Sequence, residues 1–371
     1  MTRVSDKMLL PPKSWPHTAR KQVWTLAYPD PHNDVDQLLI ADVAPDGSFT
    51  NRKCLSCNNA SAPSIRRFKH FPRLRPQGDW ILLDVENENG PEITQQSPAR
   101  LQVQRNNGYW TNLWITTVDG SKWYQLTHYT AAPGGHPGAV GILNPMWSPD
   151  GTMIAFPETY KAPDLANRQG YWKFYVAAFA VDKSTGVPRL DNIREISYPG
   201  NVFYETQDFS PDSKQLLVQS VMPGMNAYGV DIYSVNLVPG PDFGKYTDLT
   251  NSPYTWDEHA RYSPSGKKIG WISSLPFPNI IPQYGELAWF QYREHLHNEF
   301  FLMNSDGTDV QQLTRFNDPQ APEHVSQYGD AMYGEWNLEG TQLLIHNGVP
   351  EIQVPGGNSA WLVTFAGACG G

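Results

Sequence analysis

A short pattern that recurs along the chain limits the fold more than any other feature. An aromatic residue comes before a turn of Pro and Gly type, and an apolar strand follows. The clear copies are WSPDGTMIAF from residue 147, FSPDSKQLLV from residue 209 and YSPSGKKIGW from residue 262. Proline presets the first turn position and glycine permits a positive φ later in the turn. Two worn copies, LRPQGDWILL and WNLEGTQLLI, begin at residues 74 and 336.

The spacing of these turns indicates repeated structural units. The turn positions Pro76, Pro149, Pro211, Pro264 and Leu338 are 73, 62, 53 and 74 residues apart. A second element, an Asp-Gly turn followed by Leu-Thr, recurs as DGSKWYQLT and DGTDVQQLT. Strands and hairpins repeated radially form a β-propeller. We therefore predict an all-β chain, one propeller domain over residues 1–371, with six blades or, as the fallback, seven. The N- and C-terminal strands would close the ring.

The repeats resemble those of the TolB-like propellers, the family with the PD40 repeat. The likeness is carried by the three SPDG-type segments and the two Asp-Gly…Leu-Thr segments, and it extends over nearly the whole chain. It implies the fold and leaves the activity open, because propellers host many functions.

Composition and missing motifs exclude several classes of function. The net charge of −9 argues against a nucleic-acid partner. No run approaches 18 apolar residues, so no membrane span is predicted. The sequence has no G-x-S-x-G, P-loop or G-x-G-x-x-G motif, so we expect no nucleotide cofactor and no serine hydrolase. The 13 Trp, 18 Tyr and 15 Phe favour a small apolar or aromatic ligand. A homodimer is left open.

Three cysteines and one sequon bear on the compartment. Cys54 and Cys57 form a CxxC beside the N-A-S sequon at Asn59, a glycosylation candidate, and Cys369 lies near the C-terminus. A bridge from Cys369 to the CxxC would staple the ring; a local Cys54–Cys57 bridge or three free thiols are the alternatives. The combination favours a secretory or extracellular protein, although the sequence starts without a segment apolar enough for a signal peptide. A cytoplasmic location is the alternative.

Several segments interrupt the repeat. We predict an N-terminal arm over residues 1–20 and long insertions near 87–108, 129–144 and 276–297. Long loops on a compact fold often bind ligands. The alternative is that they only pack on the rim.

The candidate site follows from the strand before each turn, because the innermost strand of a propeller blade begins at the central channel. Six residues before the turn positions lie His70, Leu143, Glu205, Glu258 and Met332, and five before lie Phe71, Asn144, Thr206, His259 and Tyr333. The stretch WDEH, residues 256–259, thus places an acid and an imidazole at these offsets. Such a pair can transfer protons. The alternative is that these polar groups only satisfy one another and channel water.

These offsets give a committed set of site residues. We predict Glu258, His259 and Glu205 as catalytic. The predicted substrate-binding residues are Gln207, Trp256, Trp289, Tyr328, His70 and Tyr333. No metal is predicted, because a firm divalent site needs three or more converging ligands and the offsets lack further histidines.

The chain is also similar to propeller proteins of fungal secondary metabolism, on its repeat, its aromatic content and its missing cofactor motifs. Some of these are hetero-Diels–Alderases that join a tropolone-type quinone methide to a terpene alkene. The resemblance implies a cofactor-free enzyme that performs this cycloaddition in an aromatic pocket. Two alternatives remain. One is a TolB-like protein-binding scaffold. The other is a carbohydrate-active polysaccharide lyase of propeller type, which would need cations for a uronate where the offsets are acidic or neutral.

Overall fold

A computed structural model gives the fold of most of the chain. It describes residues 2–5, 21–27, 36–43, 49–87, 110–129, 140–161, 170–200, 202–222, 225, 229–277, 297–325, 331–347 and 359–366. All regular structure in these residues is β-strand, which confirms the all-β prediction. No helix in these ranges is long and apolar enough to cross a membrane.

Within the described ranges, the regular elements along the chain are all strands. They are β1 (Thr2–Ser5), β2 (Lys21–Ala27), β3 (Asp36–Val43), β4 (Phe49–Cys54), β5 (Lys69–Leu74), β6 (Trp80–Glu86), β7 (Thr111–Thr117), β8 (Trp123–Gln125), β9 (Gly141–Ile142), β10 (Met146–Trp147), β11 (Met153–Lys161), β12 (Tyr171–Val181), β13 (Pro188–Glu195), β14 (Phe203–Phe209), β15 (Gln215–Val221), β16 (Asp231–Asn236), β17 (Tyr246–Asp248), β18 (Asp257–Tyr262), β19 (Lys268–Ser273), β20 (Glu299–Asn304), β21 (Gln311–Gln312), β22 (Ala331–Trp336), β23 (Gln342–Asn347) and β24 (Ser359–Thr364).

The chain divides into two compact units. The first unit is residues 17–206, and the second unit is residues 1–16 together with 207–371. The first holds the sheets β2-β3-β4, β5-β6-β7-β8 and β10-β11-β12-β13, with β9 also paired to β11. The second holds β18-β19-β20-β21 and β1-β24-β23-β22, and the sheet β14-β15-β16-β17 begins at the boundary. The single-domain assignment stays a prediction.

The SPDG-type turns form as the sequence predicts. Ser148 Oγ donates to Asp150 Oδ1 at 2.5 Å and accepts from the amide of Met153 at 2.9 Å. Gly151 takes the left-handed conformation, with φ of 66°. In the second copy Ser213 occupies this position with φ of 59°, although it is not glycine. Side-chain hydrogen bonds of this kind fix a tight turn locally, so each turn sets the register of the hairpin that it joins.

The Leu-Thr element closes the opposite end of the sheet. Thr314 Oγ1 donates to Glu299 Oε2 at 2.5 Å and accepts from the amide of Phe300 at 2.8 Å. Thr250 repeats the arrangement with Asp231 and the amide of Ile232. The same clasp holds Thr127 on β7 through Asn112 and the amide of Leu113. We call this arrangement the threonine clasp.

Apolar clusters join successive sheets within each unit. In the first unit, Leu38 and Ile40 of β3 pack with Ile81 and Leu83 of β6. In the second unit, Leu217 of β15 lies in one cluster with Trp271 of β19 and Phe301 of β20, and another cluster includes Phe300 of β20 and Trp361 of β24. Alternating side chains give each strand one face for each neighbouring layer. The sheets therefore stack face to face.

The first strand of the chain pairs with the last. β1 lies antiparallel to β24, with Thr2 opposite Leu362 and Arg3 opposite Trp361. Part of the predicted N-terminal arm is thus an edge strand of the sheet built from the C-terminal strands. Closure of a whole ring and the number of blades stay predictions.

The cysteines follow the local alternative. Cys54 and Cys57 form a disulfide with 5.5 Å between their Cα atoms. Both sulfurs are used, so the predicted staple from Cys369 to this pair is wrong. Cys369 itself lies outside the described residues.

Replacing Thr314 with valine tests the threonine clasp. The change keeps the shape of the side chain but leaves the buried Glu299 and the Phe300 amide each short of one partner. We expect the free energy of unfolding to fall by about 2–3 kcal/mol, because each unsatisfied buried group costs about 1–3 kcal/mol. Urea unfolding measures this. The control Thr247→Val alters an exposed threonine; an equal loss in both variants would contradict the clasp.

Candidate functional site

The strand β18 begins within the stretch WDEH, and the two acids of this stretch have different roles. Asp257 is fully buried; its Oδ2 accepts from Thr255 Oγ1 and Ser252 Oγ, both at 2.6 Å, and its Oδ1 accepts from Trp271 Nε1 at 2.8 Å. Burial raises the pKa of Asp257 to about 6 despite these donors. Asp257 is therefore a structural hub that ties β18 to β19 and to the preceding turn.

Glu258 and His259 form a pair that reaches solvent. His259 Nε2 lies 3.5 Å from Glu258 Oε2, and the two side chains are 15% and 17% exposed. Trp256 Nε1 donates to Glu258 Oε2 at 2.7 Å. A neutral indole donor holds the carboxylate in place without neutralising its charge. This part of the prediction, an acid and an imidazole side by side at the start of the strand, matches the geometry.

A left-handed residue marks the same offset in three repeats. Phe71, Asn144 and His259, each five residues before its turn position, have φ of 46°, 43° and 57°. The register shifts between His70 and Arg73 in the β5–β6 pair and between Glu258 and Arg261 in the β18–β19 pair. Such bulges re-aim side chains and concentrate near active sites, and non-glycine residues pay strain to adopt them. The left-handed conformation and the neighbouring bulges therefore mark this offset as a candidate for a functional role.

His70 lies between two carboxylates in the first unit. It is directly opposite Asp84 across the β5–β6 pair, with Nδ1 3.8 Å from Asp84 Oδ2. Its Nε2 lies 3.5 Å from Asp36 Oδ2. Asp84 is 1% exposed, and neither of its oxygens has a hydrogen-bond partner in the described part of the chain. Burial raises the pKa of Asp84 to about 6, against the opposing charges of His70 and Arg73.

Glu205 belongs to a hydrogen-bonded chain in the first unit. Arg73 Nη2 donates to Asn144 Oδ1 at 2.7 Å. Asn144 Nδ2 in turn donates to Glu205 Oε1 at 3.2 Å and to the carbonyl oxygen of Thr206 at 3.0 Å. The left-handed Asn144 thus links β5 to β14 through polar side chains. Its contacts are those of a positioning residue for Glu205.

Two predicted substrate-binding residues are buried instead. Gln207 is 1% exposed, and its Nε2 donates to Gln219 Oε1 at 3.1 Å. Trp256 is 5% exposed, so its ring offers no face to a ligand, and its indole supports Glu258. These two assignments are corrected. The offset of four residues before the turn faces the interior, as it does for the fully buried Ala260.

Three other predicted residues cannot be placed in a site. Trp289 and Tyr328 lie outside the described residues. Tyr333 is in β22, but its side chain is outside the described part. Most of the predicted insertions also fall outside it.

Sequence reasoning missed the charges three residues before each turn. Arg73, Asp208, Arg261 and Glu335 occupy this offset, and Met146 is the exception. Arg261 Nε lies 3.9 Å from Glu335 Oε1. Burial raises the pKa of Asp208 to about 6, partly offset by the charge of Arg261. The signal in the sequence was a charged residue that recurs three positions before the turn, between apolar neighbours. It could have identified these four residues.

The sequon asparagine has a structural role. Asn59 Nδ2 donates to the carbonyl oxygens of Leu55 and Gly120, each at 2.8 Å, and its Oδ1 accepts from the amide of Ser61. A glycan on Nδ2 leaves a single N–H, so one of the two donated bonds would be lost. Glycosylation at Asn59 stays a prediction with this structural cost.

No group of three or more His, Cys, Asp or Glu residues in the described part of the chain could hold a metal ion.

Comparisons with known proteins bear on the fold. No family model matches the chain, and no curated protein matches it. Among solved structures, an oligogalacturonate lyase from Vibrio parahaemolyticus shares 10% identity with a TM-score of 0.51, over 88% of this chain and 72% of the lyase. A protein described as TolB from Agrobacterium tumefaciens shares 16% identity with a TM-score of 0.45, over 82% of this chain and 76% of that one.

A longer protein also resembles the chain. A puromycin-hydrolyzing peptidase from Mycobacterium tuberculosis shares 12% identity with a TM-score of 0.49, and the chain spans 55% of its length. At such identities a likeness carries no activity. The likeness to the lyase, with a TM-score of 0.51, indicates the fold alone. This likeness supports a β-propeller scaffold for the chain, as the repeats predict, and the cycloaddition implied by the fungal resemblance stays a prediction.

The buried carboxylates predict an unusual pH dependence of stability. Asp84, Asp208 and Asp257 have folded-state pKa values of about 6, above the unfolded value of about 4. The folded state therefore binds protons first as pH falls, so the free energy of unfolding should rise between pH ~7 and pH ~5. Asp84→Asn should flatten this rise, as followed by melting temperature across pH.

An exposed carboxylate provides the control. The hydroxyl of Thr308 lowers the pKa of Asp306, so Asp306→Asn should alter the profile only as pH falls below about 4. Identical profiles for Asp84→Asn and the wild type would contradict the assignment of a raised pKa to Asp84.

The left-handed conformation at His259 can be measured with two truncations. His259→Ala and His259→Gly both remove the imidazole, but only alanine keeps a Cβ in the strained region. We expect the glycine variant to be the more stable by about 1 kcal/mol, because the left-handed region costs other residues about 1–2 kcal/mol. At the neighbouring Ala260, where φ is not positive, Ala260→Gly should instead destabilise by about 0.5–1 kcal/mol. Chemical unfolding of the three variants decides; alanine above glycine at position 259 would refute the strain.

Proposed function

We propose that the chain is an enzyme that transfers protons on a small, uncharged organic molecule, with Glu258 and His259 as its acid–base pair. The observation that carries the proposal is the partly exposed contact of 3.5 Å between these side chains. His259 has a left-handed, strained conformation near the start of β18, which the turn repeat predicts to be an inner strand. Strain held at a polar, accessible position is typical of a functional site.

The chemistry follows from what surrounds each group. The indole N–H of Trp256 fixes one oxygen of Glu258. An imidazole can donate or accept a proton near neutral pH, so the side chain of His259 suits proton exchange with a substrate. A pair of this kind supports acid-assisted loss of water from a hydroxyl-bearing substrate, in which the proton adds to the leaving oxygen.

The finer proposal is the cycloaddition that the sequence implied. Loss of water from a hydroxymethyl precursor would generate a quinone methide, and a terpene alkene would then add to it. The second step needs orientation more than proton transfer, and orientation can supply about 7–11 kcal/mol in favourable cases. What supports this version is the uncharged, apolar character of both reactants, which suits an aromatic-rich chain without a concentration of cations.

A binding scaffold is the second candidate. The observation that favours it is that several polar groups of the inner strands have structural partners, such as Gln207 with Gln219 and Asp257 with Trp271. The lyase alternative gains a fold likeness only. The acids Asp208, Glu258 and Glu335 around Arg261 in the second unit disfavour a uronate there.

Turnover by matched variants tests the acid–base assignment. A hydroxymethyl phenol and a terpene alkene are incubated with the wild type, Glu258→Gln and His259→Gln, and the adduct is quantified. We expect each variant to lose about 10²–10⁴-fold in rate, the usual range for general acid–base groups. Glu339→Gln, at an exposed position of the second unit, serves as control. Full turnover in both site variants would refute the assignment, and no adduct above the uncatalysed rate with the wild type would favour the scaffold.

A further inference from the structure

The guanidinium of Arg261 lacks the hydrogen bonds that such a group needs. Its side chain is only 17% exposed, and its closest carboxylate oxygen, on Glu335, lies 3.9 Å from Nε, beyond hydrogen-bond range. Nη1 is shielded from solvent and has no partner among the described residues. An arginine carries five N–H donors and keeps its charge at any ordinary pH. A mostly buried guanidinium in this condition calls for an oxygen acceptor from outside the chain.

Arg261 lies on the same strand as the proposed acid–base pair. Ala260 and Tyr262 belong to the apolar cluster between two sheets of the second unit. Across the bulge, Glu258 lies opposite Ile272 and Arg261 lies opposite Gly270, two residues apart on β19, so the side chains of Glu258 and Arg261 share a face, about 7 Å apart along the strand. One molecule of modest size can contact both side chains.

The surrounding charges select the kind of oxygen. Asp208 sits beside Arg261, and its Oδ2 accepts from the amide of Tyr262 at 2.9 Å. Asp208 and Glu335 lie near the guanidinium of Arg261, and Glu258 lies near the imidazole of His259, so this part of the second unit has three carboxylates for one guanidinium and one imidazole. A ligand carboxylate would add a fourth negative charge. An uncharged oxygen acceptor gains the guanidinium hydrogen bonds without that repulsion.

We propose that Arg261 binds the carbonyl oxygen of an uncharged substrate beside Glu258 and His259. This rests on the proposed function for the location of the reacting groups. The guanidinium N–H groups donate to the carbonyl and hold the substrate against the pair. As electron density moves onto that oxygen during proton transfer, the same donors stabilise it more strongly. The substrate class is therefore a neutral carbonyl compound, such as a ketone, an aldehyde or a quinone-type ring.

Three probes that share one aromatic ring isolate the carbonyl. They are 4-hydroxyacetophenone, with a neutral carbonyl; 4-ethylphenol, with none; and 4-hydroxybenzoate, with a carboxylate. Ligand-detected NMR titration gives the Kd of each for the wild type, Arg261→Gln, Arg261→Lys and the exposed control Arg315→Gln. Melting temperatures check that every variant is folded. Arg261→Lys keeps the positive charge between Asp208 and Glu335 and so guards against a variant that fails to fold.

The expected result is a preference for the ketone that depends on Arg261. Wild type and Arg315→Gln should bind the ketone on the order of 10-fold more tightly than 4-ethylphenol, as one charge-assisted hydrogen bond implies. Arg261→Gln should lose this preference, and Arg261→Lys should keep part of it. Tightest binding of the benzoate, an unchanged preference in a folded Arg261→Gln, or no binding of the ketone by the wild type would each overturn the proposal.

The two proposals fail separately. Glu258→Gln should reduce turnover and leave ketone binding within about 2-fold, because an uncharged carbonyl does not depend on that carboxylate. If no turnover is found but the Arg261-dependent preference persists, the carbonyl site stands and the acid–base assignment falls.

Discussion

In the sheets that contain β10, β14 and β18, short polar side chains hold the register at both ends, and the rest of the structure depends on this. At one end the serine of the SPDG turn binds the turn aspartate and a strand amide, as Ser148 does. At the other end a threonine such as Thr314 bridges a buried acid and the next amide. Register matters because a slip by one residue would turn every apolar side chain away from its neighbouring sheet.

With register fixed, a local irregularity can be tolerated on the first strand. The bulges at His70–Arg73 and Glu258–Arg261 shift pairing for a few residues and then return to the ladder. The backbone strain is tolerated because clusters such as the one around Trp271 bury the other face of the strand, and this packing offsets the strain. What results is a small set of charged side chains, aimed away from the apolar interior by backbone geometry. The candidate chemistry of Glu258, His259 and Arg261 rests on that arrangement.

The sequence predicts the hairpins well because their signals are local. Proline, glycine and a short polar side chain define a turn within five residues, and the turn at Pro149 forms as expected. The threonine clasp at Thr127 was not predicted, because it reaches Asn112, 15 positions away in sequence. Ser197 takes the same role in another sheet, where its Oγ accepts from the amide of Phe174.

The bulges leave no such local signal. Phe71 gives no sign of a positive φ, and histidine is only one of several residues enriched there, so counting offsets could not show that the facing of the side chains changes at these positions. Gln207 and Trp256 were misassigned because their burial depends on the neighbouring strands and sheets, which the offsets do not reveal. The contact between His70 and Asp84 joins residues 14 positions apart in sequence and depends on strand pairing, which composition does not reveal. The glutamate–histidine pair was found because its members are adjacent.

The hydrogen bonds of Asn59 have a consequence for the life of the chain before it folds. Its amide bridges two segments of the first unit, the carbonyl oxygens of Leu55 and Gly120, beside the Cys54–Cys57 disulfide. An oligosaccharide transferred to a nascent chain would reach this amide before those partners do. In a glycosylating compartment, folding of the hairpin at Gly120 would thus compete kinetically with attachment of the sugar to Asn59. Chains that fold first would keep both hydrogen bonds of Asn59, and chains that are glycosylated first would keep one.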